Sequence, residues 1–359
     1  MNQINLLIIE DETAQIQTYE DNIYQHNKKS EYKFTYTICK SFDEGKKALE
    51  TPYYDAAIID LKLSGSDELE GKKLVEDVYQ KLRIPIIIYS GSIDQIDTFP
   101  ENILLKKRLR TEKLTSILEE IILIYNTGIT SLLKPAGKID TKLTQIFWNH
   151  LSNDLELWTK DNNPDTLLRY ILSHFQEYLE IDPVGDFQQY HPSEVYIRPA
   201  IKSNFHTGDL IRYNKAMFII LTPACDIVIN YKPGQGAELG KKIAFRKSDT
   251  MLLASVLEFD IKTMCLNKNG EIDKGKIGEF VRNGSYRYHY LPPYLNPSGY
   301  VIDFQSLQSV KYDEQITKIA SISSPFIKDI ISRFSSYYSR QGQPTFNQEK
   351  IIDNLYASR

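Results

Sequence analysis

Five short apolar runs, at residues 6–9, 34–39, 56–59, 86–89 and 103–105, alternate with amphipathic stretches over the first 127 residues. This alternation narrows the choice of fold more than any other feature. Strands buried on both faces read as unbroken apolar runs, and the stretches between them supply helices to cover both faces. The pattern predicts an α/β unit, with five parallel strands in a doubly wound sheet, over residues 1–127.

Beyond that unit the periodicity changes. Asn126-Thr-Gly-Ile-Thr and Pro135-Ala-Gly mark a turn-rich linker at residues 128–140. Large apolar groups then recur every four residues, at Leu143/Phe147/Leu151/Leu155/Trp158 and at Leu167/Ile171/Phe175/Leu179, which predicts a helical hairpin over 141–182. Residues 183–359 read as a β-rich output domain with a C-terminal helix, which together with the hairpin makes an α+β output region. Short strand-like pieces at 216–221, 227–231 and 300–304 predict a small β barrel or sandwich. A C-terminal helix is signalled by Ser324 as N-cap, Pro325 at the first turn, a Phe326/Ile330/Phe334/Tyr338 stripe, and Gly342 and Pro344 as the stop.

Composition excludes several classes. There is no apolar run of about 18 residues, and residues 1–9 are too short and too uncharged at their start for a signal peptide, so a cytoplasmic protein with no membrane role is expected. Cys39, Cys225 and Cys265 are an odd number at wide spacing, which argues for reduced thiols over a disulfide framework or cysteine zinc site. Residues 1–127 carry 16 Lys+Arg against 22 Asp+Glu, and the remainder 27 against 25. A net +2 over the remainder is a weak footprint for nucleic acid, which is therefore disfavoured as a partner.

The ends of the predicted strands carry the chemistry. Phosphoryl transfer to a carboxylate needs a divalent cation, further carboxylates to hold it, and a cationic side chain for the developing charge. Leu6-Leu-Ile-Ile-Glu10-Asp11-Glu12 places acids after the first strand, and Asp60 follows the third. Ser90 closes the fourth, and Lys106 closes the fifth as predicted at 103–105. In an open α/β sheet, sites gather beyond the carboxyl ends of the strands, so these positions converge.

This ordered set resembles the receiver domain of two-component response regulators, across residues 1–127, and implies the flavodoxin-like arrangement. The resemblance implies Asp60 as phosphoacceptor and Mg²⁺ held by Glu10, Asp11, Asp60 and the backbone carbonyl of Lys62. It also implies Ser90 as the switch hydroxyl, Lys106 paired with the phosphoryl oxygens, and a sensor histidine kinase or phosphotransfer protein as partner. Homodimerisation is an option for such regulators. The sequence departs from the family pattern at four places: Ile103 stands where an aromatic residue is usual, Lys107 stands where a proline usually follows the lysine, the Ser90-to-Lys106 interval is short, and the loop 62–71 is long. A truncated fourth helix within 92–102 is the expected consequence.

The output half carries no helix-turn-helix, nucleotide-binding glycine loop, HExxH or GxSxG. Its candidate site residues are His206, Asp209, Cys225, Asp226 and His289, from which a cysteine nucleophile or a metal site can be assembled. The simpler reading makes Cys225 a buried thiol, Asp226 a turn residue, and the histidines ordinary polar groups. The expected function is a phosphorylation-controlled regulator whose output half binds a protein or ligand, a switch in preference to an enzyme. The alternatives are a gated hydrolase or nuclease and an unfamiliar DNA-binding fold.

Overall fold

The computed structural model describes residues 2–48, 54–63, 73, 75–76, 83–91, 104–134, 136–153, 155–159, 163–180, 185, 189–233, 242–294, 296–312, 315–340 and 346–358. The expectations about Ile103, residues 92–102, most of the loop 62–71, Pro135, Gly342 and Pro344 lie outside the described residues. Two compact units divide the chain, residues 1–188 and 189–359.

In the first unit, β1 (Asn2–Ile9), β2 (Tyr32–Cys39), β3 (Ala56–Ile59), β4 (Ile86–Ser90) and β5 (Leu105–Leu109) form a parallel sheet ordered β2-β1-β3-β4-β5. That is the flavodoxin-like doubly wound order, as the alternation predicts. Successive residues of a strand face opposite ways, so each apolar run feeds two cores. Leu7, Ile9, Ala57, Ile59, Ile86 and Ile88 are buried in one cluster with Leu63 and Val75. Ile4, Leu6, Ile8, Ala56, Ile58 and Ile87 are buried in another, against Tyr19 and Ile23 of α1 (Thr13–Lys29) and Leu114, Ile117, Leu118 and Ile121 of a later helix. Each fully buried Ile or Leu contributes about 1.5–3 kcal/mol, which fixes the sheet's register against slippage.

The fifth strand departs from expectation. It runs over Leu105–Leu109 (LKKRL), not 103–105, and among the described residues pairs only with β4, Ser90 opposite Leu109. An edge strand tolerates charge, so Lys106, Lys107 and Arg108 sit in it partly buried, and the continuous apolar run expected of a central strand is absent. Helices α2 (Phe42–Ala48) and α3 (Leu114–Asn126) contribute to the layers over the sheet.

After α4 (Ile129–Leu133), α5 (Lys138–Ile146) runs into a π-helical turn at Phe147–Leu151, followed by α6 (Leu155–Trp158) and α7 (Pro164–Glu180). Helices α5 and α7 pack together. Nearby, His150 Nε2 lies 2.9 Å from the Tyr178 hydroxyl and Trp158 meets Tyr170 edge-on at 5.0 Å. The expected single stripe from Leu143 to Trp158 is not one buried face: Leu143 and Phe147 are exposed, whereas Leu151 and Trp158 are half-buried.

The second unit contains β6 (Tyr196–Ile197), β7 (Asp209–Tyr213), β8 (Ala216–Ile220), α8 (Ala224–Ile227), β9 (Asn230–Pro233), β10 (Lys242–Phe245), β11 (Thr250–Glu258), α9 (Ile261–Met264), α10 (Lys274–Val281), β12 (Tyr288–Leu291), β13 (Tyr300–Lys311), β14 (Thr317–Ile322), α11 (Ser324–Ser339) and α12 (Gln348–Ala357). Seven strands form an antiparallel sheet ordered β12-β13-β11-β8-β7-β14-β6, while β9 and β10 pair separately. Asn214 and Lys215 both have positive φ, the two-residue hairpin geometry that matches strand twist, between β7 and β8. The strand expected at 227–231 is instead the end of α8 and the start of β9. The Tyr196 hydroxyl donates to the Pro292 carbonyl at 2.8 Å, so the segment after β12 meets β6 from the far end of the sheet order.

Helix α11 has Ser323 at its N-cap position, one residue before the expected Ser324 and without a side-chain cap hydrogen bond, and buries Ile330 with Phe326, Ile327, Ile331, Phe334 and Tyr337 packed on the same core. Tyr338, expected on that stripe, is exposed. Helix α12 is an element that the sequence pattern does not signal. No single described helix is long and apolar enough to cross a membrane.

Candidate functional site

The carboxyl ends of β1 and β3 each deliver a buried acid. Backbone N–H groups anchor them: Glu10 N donates to the Cys39 carbonyl at 3.0 Å, and Asp60 N to the Ile9 carbonyl at 2.9 Å. Glu10 is fully buried and Asp60 is 2% exposed. Ser90, the last residue of β4, is buried beside them in strand order, as expected.

A cation bridges the acids, and it is Arg110. Its Nη2 lies 2.7 Å from Glu10 Oε2 and 2.6 Å from Asp60 Oδ2, while Nη1 lies 2.6 Å from Glu12 Oε2. One nitrogen touching both buried carboxylates places those two oxygens no further apart than the sum of the two contacts, so they face a common point. Asp11 is partly buried next to them and, with Asp60, adds to the repulsion felt by Glu10. Burial first, then these like charges, hold the Glu10 carboxyl up at about 7, against the opposing Glu12 backbone N–H and Arg110. Burial disfavours the Arg110 charge, but Asp60, Glu10 and Glu12 outweigh it, and its pKa is raised.

Lys106 does not reach this point. Because β5 begins at Leu105, Lys106 is the second residue of the strand and not its end. Its Nζ lies 3.1 Å from Glu120 Oε1, which Arg108 Nη2 also contacts at 2.7 Å. These partners hold Glu120 below its ordinary pKa despite partial burial. Arg110 follows the strand end and takes the position that the sequence pattern gives to Lys106. The backbone shows why: Arg110 N donates to the Ser90 carbonyl at 3.2 Å. The sequence conceals this arginine inside the run Lys106-Lys107-Arg108-Leu-Arg110, which reads as a solvated surface.

Among the described residues no three histidine, cysteine or carboxylate side chains close around one point as a metal cluster. The fit to a hard divalent cation rests on donor type and on one atom. Asp60 Oδ1 is buried without a hydrogen-bond partner among the described residues, an oxygen with a lone pair to give. Glu10 and Asp60 fit such an ion, and Lys62 is exposed just after β3.

The candidates of the second unit do not assemble into one site. Asp209 is fully buried and committed: Lys318 Nζ lies 2.7 Å from Oδ2, the Ser321 hydroxyl donates to Oδ1 at 2.6 Å, and His206 N donates to Oδ2 at 2.8 Å. Cys225 is exposed, a correction to the expected buried thiol; in the single turn of α8 it is Ile227 that points into the core. The Cys225 thiol lies 3.5 Å from Asp226 Oδ1, an acid and not a histidine base. His289 is buried on β12, 3.8 Å from Asp329 Oδ2, and burial, then Arg333, lowers its pKa to about 3, so it is neutral. An ion pair that the sequence pattern does not signal joins the half-exposed Arg287 to the buried Asp303, with Nε to Oδ1 at 2.9 Å and Nη2 to Oδ2 at 2.6 Å.

No protein-family model matches the chain, and no curated protein matches it. Solved structures that are similar over the N-terminal third include receiver domains. One from Methylobacillus flagellatus shares 23% identity over 33% of this chain and 99% of its own, with a TM-score of 0.27. One from Methanospirillum hungatei shares 16% over 35% and 96%, with a TM-score of 0.28. The receiver domain of a Pseudomonas aeruginosa sensor histidine kinase, solved with magnesium in its active-site cleft, shares 17% over 33% and 94%, with a TM-score of 0.27. At these identities the likeness is one of fold, and the fold itself rests on the strand order above.

Proposed function

We propose that the chain is a two-component response regulator whose receiver, residues 1–127, is phosphorylated on Asp60. The observation that carries this reading is the pair of buried carboxylates at adjacent strand ends, Glu10 and Asp60, with Asp60 Oδ1 unpartnered among the described residues. Glu10, Asp11, Asp60 and the Lys62 carbonyl are the proposed Mg²⁺ ligands. Bound, that ion neutralises the oxygens of the incoming phosphoryl group. An Asp60 oxygen forms the new bond to phosphorus while the bond to the donor breaks, the leaving group keeping the electron pair. The Ser90 hydroxyl then follows the phosphoryl group, and the added charge shifts a pre-existing equilibrium. A sensor histidine kinase or phosphotransfer protein in the cytoplasm is the proposed donor.

Residues 128–140 serve as linker, 141–182 as helical hairpin and 183–359 as the output region in this reading, with a protein or ligand as target. A second reading of the output gains from the division of the chain. Residues 1–188 hold 21 Lys+Arg against 31 Asp+Glu, net −10, whereas 189–359 hold 22 against 16, net +6. In that basic unit the Arg340 guanidinium sits 5.3 Å from the Tyr286 ring and 4.3 Å from the Tyr337 ring. Basic groups interleaved with aromatic rings suit nucleic acid, and salt-sensitive retention of DNA by the full chain tests that reading. Among the described residues no comparable cluster supports the hydrolase reading.

Incubation with a small-molecule phosphodonor and Mg²⁺ tests the main reading. Wild type is expected to take up label and Asp60→Asn to take up none; equal labelling rejects it.

A further inference from the structure

Resting on that reading of Asp60, we infer that Arg110 is a built-in competitor of the divalent cation, a guanidinium gate that must leave the two buried carboxylates before the ion can take them. Three observations converge on it. First, the same Nη2 atom contacts Glu10 Oε2 and Asp60 Oδ2, so the guanidinium occupies the space between the oxygens that a shared ion needs. Two positive charges cannot share that space at close range without strong repulsion.

Second, the guanidinium is incompletely satisfied and has somewhere to go. Arg110 Nε is buried without a partner among the described residues. Nη1 already touches Glu12, whose side chain is 54% exposed, against 0% for Glu10 and 3% for Asp60. Glu12 occupies the N-cap position of α1 yet makes no side-chain cap hydrogen bond, so its carboxylate is available to retain the arginine at the rim. Swinging outward about Glu12 frees Glu10 and Asp60 while keeping one ion pair.

Third, the turn that carries Arg110 is tied to the strand that carries Ser90. The Tyr89 hydroxyl donates to the carbonyls of Arg110 at 3.2 Å and Glu112 at 2.8 Å, and Arg110 N donates to the Ser90 carbonyl. Helix α3 starts directly afterwards at Leu114. Release of the guanidinium therefore reports cation arrival to the β5–α3 turn, a route that does not involve Ile103.

Isothermal titration calorimetry of the full chain with MgCl₂ alone tests the gate. Arg110→Ala is expected to bind Mg²⁺ roughly tenfold more tightly than wild type, within the usual range of coupling between competing ligands. Arg110→Lys, which keeps the charge but lacks the second nitrogen that holds Glu12 while the first holds the two buried acids, is expected to fall between them. Arg108→Ala removes a charge that does not touch the acids and is expected to bind as wild type does. If Arg110→Ala unfolds in chelator, Mg²⁺-driven refolding supports the gate, and absence of refolding leaves the decision to Arg110→Lys. Equal or weaker Mg²⁺ affinity in the arginine variants overturns the gate and leaves the Asp60 reading standing. Failure of every variant to bind Mg²⁺ counts against both, and phosphodonor labelling then tells whether the Asp60 reading survives.

Discussion

The Tyr89 hydroxyl donates to the Glu112 carbonyl at 2.8 Å, fastening the turn after β5 to the end of β4. Tyr89 is 5% exposed, and its burial raises its pKa, so the neutral donor form is the one present near pH 7. Tyr89→Phe keeps the ring and removes the donor. It is expected to cost about 0.5–1.5 kcal/mol, read as a lowered urea midpoint at unchanged slope. An unchanged midpoint shows that the turn is not held there.

Glu10 gives the unit a pH dependence of definite sign. Its folded pKa is about 7, above the ordinary 4.5, so the native state binds the proton more tightly than the unfolded chain does. Stability is therefore lost as pH rises from about 4.5 to about 7 and levels off above. In metal-free buffer wild type is expected to show this decline and Glu10→Gln to lack it, by chemical denaturation at a series of pH values. Adding Mg²⁺ is expected to reduce the slope, since the ion favours the carboxylate. Parallel curves for the two proteins contradict the description of Glu10.

In the second unit, Asp303 is 3% exposed and sits at an irregularity in the β11–β13 pairing, where Ser255 aligns with Asp303 and Ala254 with Leu307. Burial raises its pKa, but Arg287 more than compensates and the net shift is downward. Arg287→Ala leaves that carboxylate buried without its fork. The arginine side chain is 43% exposed, so the expected cost is about 1–3 kcal/mol, below that of a fully buried pair. Arg287→Lys is expected to recover only part of it, because one ammonium cannot make both contacts.

Thiol accessibility separates the three cysteines. Cys39 and Cys265 are buried and burial raises the pKa of each, whereas Cys225 is exposed. One fast-reacting thiol is expected with a colorimetric disulfide reagent in native buffer, lost in Cys225→Ser, with the other two reacting only on denaturation. Three fast thiols contradict the packing of both units.

How strongly burial constrains each element decides how legible it is in the sequence. The runs containing Ile8, Ile58 and Ile87 announce central strands because both faces are buried, and Glu10, Asp60 and Ser90 are located by where those strands stop. The fifth strand is not legible in the same way. Leu105–Leu109 lies at the sheet edge, where Lys106, Lys107 and Arg108 are tolerated, so the apolar signal ends early and the cation assignment moves with it to Lys106 in place of Arg110. Cys225 fails for a similar reason: a single helical turn has no periodicity long enough to show which side is inward. The association of Arg287 with Asp303 across 16 residues depends on strand pairing, which neither residue type discloses.

The most direct test of the account is chemical trapping of the phosphoryl group. Wild type treated with a phosphodonor and Mg²⁺, reduced with borohydride and digested, is expected to yield homoserine at position 60 and nowhere else, since reduction converts an aspartyl phosphate but spares a free carboxylate. Homoserine at another aspartate, or none at all under conditions where the protein is folded and binds Mg²⁺, contradicts it.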